Sequence, residues 1–185
     1  MLTPTHFNNL GEILKRRGYV IDVPLNMHSH GMVFMSSCST VHRMLLYISD
    51  LTVKVGVNQV RDVLKLMDQE RAADCVLVCT KVTPSASAAL KELKREQITL
   101  VFPRQLLFNI FNHEHVPEHT LLTMEESRRF LETKKLSVSQ MPGISVDDVV
   151  IRLLGGRIGQ VVRITRNRPN IGYHDYYRVV VNLSE

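Results

Sequence analysis

The chain has 185 residues, 44% of them apolar and 22% charged, which is ordinary globular composition for one domain or two small ones. No apolar run approaches the roughly 18 residues of a membrane span, so no membrane partner is expected. Residues 1–9 lack a basic segment followed by an apolar stretch, so a secretory signal is not expected. Three cysteines exclude a disulfide scaffold and a four-cysteine zinc site, and point to a reducing compartment, cytosol or nucleus. Net charge is +5; residues 1–112 hold 13 basic and 9 acidic side chains, the remainder 10 and 9. That balance permits contact with nucleic acid without requiring it.

Phe7, Leu10, Ile13 and Leu14 recur at helical spacing, and Gly18 stands where a left-handed residue would end that helix. Lys15, Arg16 and Arg17 fall in its last turn, where positive charge suits the helix dipole. From Val20 to Arg43 the pattern is weak; Met27, Met32, Met35 and the serines around them read as a short strand plus loops. Residues 51–57 alternate and are β-branched, which predicts a strand, and Asn58 is placed to cap a helix with Val60, Val63, Leu64 and Met67 on one face. Residues 75–79, Cys-Val-Leu-Val-Cys, form an unbroken apolar run, as in a parallel strand buried on both faces. Thr83 and Pro84 open another helix as N-cap and first residue, with Ala86, Ala89, Leu90 and Leu93 as its packing face. Residues 98–102 predict a third strand, and Leu106, Leu107, Ile110 and Phe111 a closing helix. The alternation of strand and helix indicates an α/β layer with partly parallel pairing.

After Asn112 the pattern changes. Residues 113–119 are polar, contain Pro117 and read as a linker. Thr123 and Glu126 form a capping box for a helix to about Lys134. Residues 141–143 break the chain, 146–154 form a short helix ended by Gly155 and Gly156, and 160–166 and 176–181 are two strands. This second unit is small and α+β, and is expected to gain stability by docking onto a partner.

The chemistry-bearing residues are sparse. His28 with His30, and His113 with His115, lack further ligands at fixed spacing, so surface histidine is the favoured reading. Cys75 and Cys79 lie about 13 Å apart along a strand and cannot share one ion. Residues 155–159, Gly-Gly-Arg-Ile-Gly, lack the Lys-Ser/Thr of a phosphate loop. A metal-dependent nuclease on a small α/β fold needs an acid two residues before a strand-end lysine; here Cys79 precedes Thr80 and Lys81, and thiolate is a poor ligand for Mg²⁺. Lys81, Thr83, Pro84 and Ser85 stand at a helix N-terminus, which offers donors and positive charge to a phosphate; on the residues alone an ordinary capped helix is the favoured reading.

Residues 112–126, Asn-His-Glu-His-Val-Pro-Glu-His-Thr-Leu-Leu-Thr-Met-Glu-Glu, carry more information together than apart. With Gly159, Gln160, Val161, Val162, Ile164 and Arg166, and with Tyr177, Arg178 and Val179, they resemble the signature of the fifth-largest common subunit of eukaryotic nuclear RNA polymerases, a family with a short archaeal counterpart. The resemblance extends upstream through residues 17–19, 83–86 and 106–110. It implies a nuclear, non-catalytic subunit of a DNA-directed RNA polymerase, without a cofactor. Residues 1–112 would be an α/β jaw domain, nuclease-like but inactive, and residues 113–185 a small α+β assembly domain, the part similar to the archaeal counterpart. The implied partners are the largest subunit, the sixth common subunit and downstream double-stranded DNA. By the same resemblance Lys81, Thr83, Pro84 and Ser85 face DNA. Pro117, Glu118, His119, Gln160, Arg166, Tyr177 and Arg178 would form the assembly interface. Two departures stand out: residues 20–50 are shorter than the usual jaw, and residues 166–172, Arg-Asn-Arg-Pro-Asn-Ile-Gly, replace a Pro-Ser-Glu-Thr-Ala-Gly loop. The alternatives are a stand-alone nucleic-acid-binding module and a divergent nuclease.

Overall fold

The computed structural model describes residues 2–28, 31–38, 43–93, 97–168 and 172–182, and the backbone alone for 20–28, 31–38, 91, 93 and 168. The chain divides into two compact units, Met1–Phe108 and Asn109–Glu185.

The first unit starts with α1 (Pro4–Arg16), which buries Leu10, Ile13 and Leu14 and ends before Gly18 at φ +83°. Phe7, expected on the packing face, is 41% exposed; His6 is buried in its place, its ring bonded to the backbone N–H of Thr3 at 3.1 Å. The weakly patterned region forms two antiparallel strands, β1 (Tyr19–His28) and β2 (Gly31–Cys38), not one short strand with loops. His30 of the first histidine pair lies outside the described residues.

The strand expected at residues 51–57 is a turn and a loop. The strand is one step upstream, β3 (Arg43–Ser49), buried from Met44 to Ser49. Asp50 ends it: its carboxylate accepts from Thr52 N at 2.9 Å and Thr52 Oγ1 at 2.7 Å, a local bond that competes with strand pairing. Val53 is then 52% exposed, and only Val55 pairs, in a single parallel bridge to Val82. Gly56, not Asn58, is the N-cap of α2 (Val57–Gln69). β4 (Ala72–Val78), α3 (Pro84–Leu93) and β5 (Ile98–Val101) follow. The sheet order is β1-β2-β3-β4-β5, antiparallel through β3 and parallel from β3 to β5. Leu45, Tyr47, Cys75 and Leu77 pack with Val60, Val63 and Met67 of α2 and Ala86 and Leu90 of α3. The expected closing helix is two 3-10 turns, Pro103–Leu106 and Ile110–Asn112, because Pro103 opens the first and Asn109 caps the second through Phe111 N.

In the second unit the sheet order is β6-β8-β9-β7, built from β6 (Glu118–Leu121), β7 (Gly143–Ser145), β8 (Val161–Arg168) and β9 (Gly172–Val181). Two segments that read as linker and breaker thus enter the sheet at Glu118 and Gly143. β6 and β8, and β8 and β9, are antiparallel; β7 and β9 are parallel. Val162 and Ile164 face α5 (Val149–Leu154) and pack on Ile151. The alternate residues Val161 and Arg163 take the other face, where α4 (Met124–Lys134) lies. There Ser127 Oγ accepts from Val161 N at 2.8 Å, and Phe130 stacks on Tyr177 with ring centres 4.5 Å apart.

Candidate functional site

Each unit carries one candidate surface. In the first, the segment after β4 is drawn back towards the loop after β3. Val55 N donates to Lys81 O at 2.9 Å and Thr83 N to Val55 O at 3.0 Å, while Thr80 Oγ1 donates to Leu51 O at 3.0 Å. This clip delivers the chain into α3 in a defined direction. Thr83 caps that helix, accepting from Ala86 N at 3.3 Å through its hydroxyl and from Ser87 N at 2.9 Å through its carbonyl. Ser85 Oγ lies 3.3 Å from Thr83 Oγ1. Lys81, Pro84 and Ser85 are exposed and Thr83 is half-buried.

Around this helix start lies a depression of about 700 Å³. Lys54 follows β3, Thr80 and Lys81 follow β4, and Phe102, Pro103 and Arg104 follow β5, so the depression sits beyond the carboxyl ends of three adjacent parallel strands. Open α/β sheets place ligand crevices at such ends. Among the described residues its lining includes three cations, Lys54, Lys81 and Arg104, and no carboxylate. The Arg104 guanidinium is held 5.5 Å from the centre of the Phe102 ring. The arrangement suits an extended anion that takes several contacts without reading one shape.

Cys79 directly follows β4. It is fully buried, and burial pushes its thiol up to about 11, far from the ionised state a metal ligand needs. Cys75 is buried too, its thiol raised by desolvation. Both are core cysteines, as their strand positions predict. Among the described residues no three His, Cys, Asp or Glu side chains converge as a metal would require.

In the second unit the expected interface residues separate into two groups. Gln160, Tyr177 and Arg178 are bound into the unit itself. Gln160 Oε1 accepts from Arg157 N at 2.7 Å and its Nε2 donates to Leu122 O at 3.0 Å. Arg178 Nη1 donates to Gly143 O at 2.9 Å, tying β9 to β7, and Tyr177 holds α4 through Phe130. Pro117, Glu118, His119 and Arg166 lie around the other end of the β6–β8 pair. His119 Nδ1 donates to Pro117 O at 2.7 Å, Glu118 is exposed opposite Thr165, and Arg166 is exposed with its guanidinium 5.5 Å from the Tyr176 ring centre.

Residues 108–180 match the family model for the C-terminal domain of RNA polymerase Rpb5. The Dictyostelium discoideum protein named DNA-directed RNA polymerases I, II, and III subunit rpabc1 is 38% identical over 134 residues, covering 70% of this chain and 68% of that protein. The chain belongs to the Rpb5 family.

The RPABC1 protein of Caenorhabditis elegans is 35% identical over 130 residues, covering 69% of this chain and 62% of that one. The chain thus spans about two thirds of the length of these eukaryotic relatives. The archaeal polymerase protein Rpo5 of Thermococcus kodakarensis is 43% identical over 74 residues, 40% of this chain and 90% of its own. The Rpb5-family resemblance read from residues 112–181 therefore holds.

Sequence reasoning missed Lys54 and Arg104 in the first unit and the placement of Arg163 in the second. Lys54 falls inside an expected strand and is masked by it. Arg104 follows an expected strand, and its position at the carboxyl end of that strand is the available signal. Arg163 is hidden in the β8 run by its neighbours Val162 and Ile164, and only the sheet's pleat assigns it to the α4 face.

Proposed function

We propose that this chain is a non-catalytic subunit of a DNA-directed RNA polymerase, acting in the nucleus. The observation that carries this is the likeness to eukaryotic subunits shared by three polymerases, over a length greater than either compact unit. Residues 1–112 serve as the jaw domain, nuclease-like and inactive, and residues 113–185 as the assembly domain. Cys79 at the position of the missing acid supports the inactive jaw, since a buried neutral thiol does not hold Mg²⁺. The assembly domain docks on the largest subunit near the sixth common subunit, with exposed Glu118 and Arg166 and half-buried Pro117 and His119 as its contact.

The jaw meets downstream duplex DNA through Lys81, Thr83, Pro84 and Ser85. The positive end of the α3 dipole, the Thr83 and Ser85 hydroxyls and three nearby cations suit phosphate contacts, which position a duplex without reading its bases. The test is purification of the tagged chain from its source cells, followed by identification of what accompanies it. Large polymerase subunits are expected; their absence after mild crosslinking overturns the reading. Within the polymerase, changing Lys81→Gln, Thr83→Ala and Ser85→Ala together should leave assembly intact. It should also lower the slope of DNA affinity against salt by about one per lost phosphate contact. An unaltered slope removes the jaw from DNA.

A further inference from the structure

We infer that a pocket between α4 and the β8–β9 pair receives a segment of a partner polypeptide that carries a carboxylate beside an apolar side chain. This rests on the proposed role as a polymerase subunit and names the chemistry of one contact. The pocket measures about 350 Å³. Leu122, Phe130 and Tyr177 give it apolar walls, and Arg129, Lys134 and Arg163 give it three cations. Its one carboxylate among the described residues, Glu126, is already engaged: Glu126 Oε2 accepts from Thr123 N at 2.8 Å and from Thr123 Oγ1 at 2.9 Å. Arg129 is paired with Glu125 at 2.6 Å.

Arg163 is the residue that points to a ligand. Its Nε is buried and has no hydrogen-bond partner among the described residues. A buried donor on a charged group is costly to leave unpaired. Nothing in the β8 pattern requires an arginine at this place, between Val162 and Ile164 and opposite Tyr177. A planar guanidinium matches a carboxylate with two parallel bonds, which a lysine cannot do. Phe130 and Tyr177 stack on each other, so they present an apolar wall and not an open ring pair that would take a base between them. Net positive charge with apolar walls therefore favours an acidic, partly apolar peptide over a nucleic-acid backbone.

The test has two arms. In the first, the full chain is followed by NMR at Arg163 Hε and at the Phe130 and Tyr177 rings. The probes are the capped peptide Leu-Glu-Leu-Asp, its Gln and Asn counterpart, and inorganic phosphate. Saturable shifts are expected with the acidic peptide, at least about fivefold tighter than with the amide peptide. They should vanish in Arg163→Met, and weaken in Lys134→Gln, whose exposed side chain leaves folding unaffected. Equal shifts with the amide peptide, no shifts at all, or the same shifts with phosphate alone overturn the proposal. In the second arm a photo-crosslinking residue replaces Thr133 on the pocket wall in the assembled polymerase. A crosslinked peptide with Asp or Glu close to the attachment point is expected; a crosslink to nucleic acid, to a second copy of this chain or to a peptide without acid overturns it. If the chain assembles into no polymerase, the functional reading fails, and the first arm still decides the pocket.

Discussion

Cys75 and Cys79 show how far a residue's surroundings can move its chemistry. Both thiols are fully buried, and desolvation holds both neutral, Cys79 up to about 11 from an ordinary value near 9. Unfolding returns them to water, where they ionise near 8.5–9. Their contribution to stability is therefore complete below about pH 9 and is lost as pH rises above it, that of Cys79 by about pH 11. For Cys79 this amounts to roughly 2–3 kcal/mol, at about 1.4 kcal/mol per unit of pKa. Tyr47, raised by burial, acts in the same sense from its ordinary value near 10. Arg17, brought down to about 10 by desolvation, acts in the opposite sense above that pH. Urea midpoints between pH 8.5 and 10 should fall in the native chain and fall less steeply in Cys75→Ala/Cys79→Ala. Parallel slopes would show that the thiols do not carry the effect.

At the scale of elements, the ends of α4 and α5 are set by short-range bonds that need no tertiary partner. Asp148 Oδ1 accepts from Val150 N at 2.9 Å and Ile151 N at 3.2 Å, and Gly155 at φ +75° closes the same helix. Asp148→Ala should cost about 1 kcal/mol, read as a lower urea midpoint with an unchanged m-value. In α4, hydrogen bonds from the backbone and side chain of Thr123 hold the Glu126 carboxyl below its ordinary range. Its folded pKa is depressed, so this support is present above the ordinary carboxylate range and is lost as pH falls. In Thr123→Ala one of the two bonds goes, and an NMR titration should find Glu126 titrating higher than in the native chain. These caps are legible because Thr123 with Glu126, and Gly155 after an apolar run, are local patterns. β3 is not legible, because an apolar run buried on both faces has no periodicity to separate it from a helix segment. Residues 51–57 mislead for the opposite reason: their alternation is real, but Asp50 turns the chain and, among the described residues, only Val55 pairs, in a single bridge to Val82.

At the scale of the molecule, each unit carries its own apolar core: Leu45, Tyr47, Val60 and Leu77 in the first, Ile151, Val162, Ile164 and Val180 in the second. Calorimetry of the isolated chain should resolve two transitions, the smaller and broader belonging to the second unit, whose core is smaller. A chain beginning at His113 should still enter the polymerase, since the proposed docking residues all lie beyond that point. Loss of incorporation would move part of the docking surface into the first unit.

The sequence by itself determined the family, through ordered motifs from residue 112 to 181. It also determined two units of different character, the caps at Thr83, Thr123 and Gly155, and the buried character of Cys75 and Cys79. These are local or cumulative signals, written in residue type and short spacing. Only the tertiary structure decided which sheet edge Glu118 and Gly143 join, that Lys54, Lys81 and Arg104 surround one depression, and that Arg163 faces α4. Each of these depends on residues far apart in the chain, brought together by strand pairing and by the two-residue alternation of the pleat. Such pairing is chosen by the energy of the whole packed sheet, and no window of adjacent residues contains that choice.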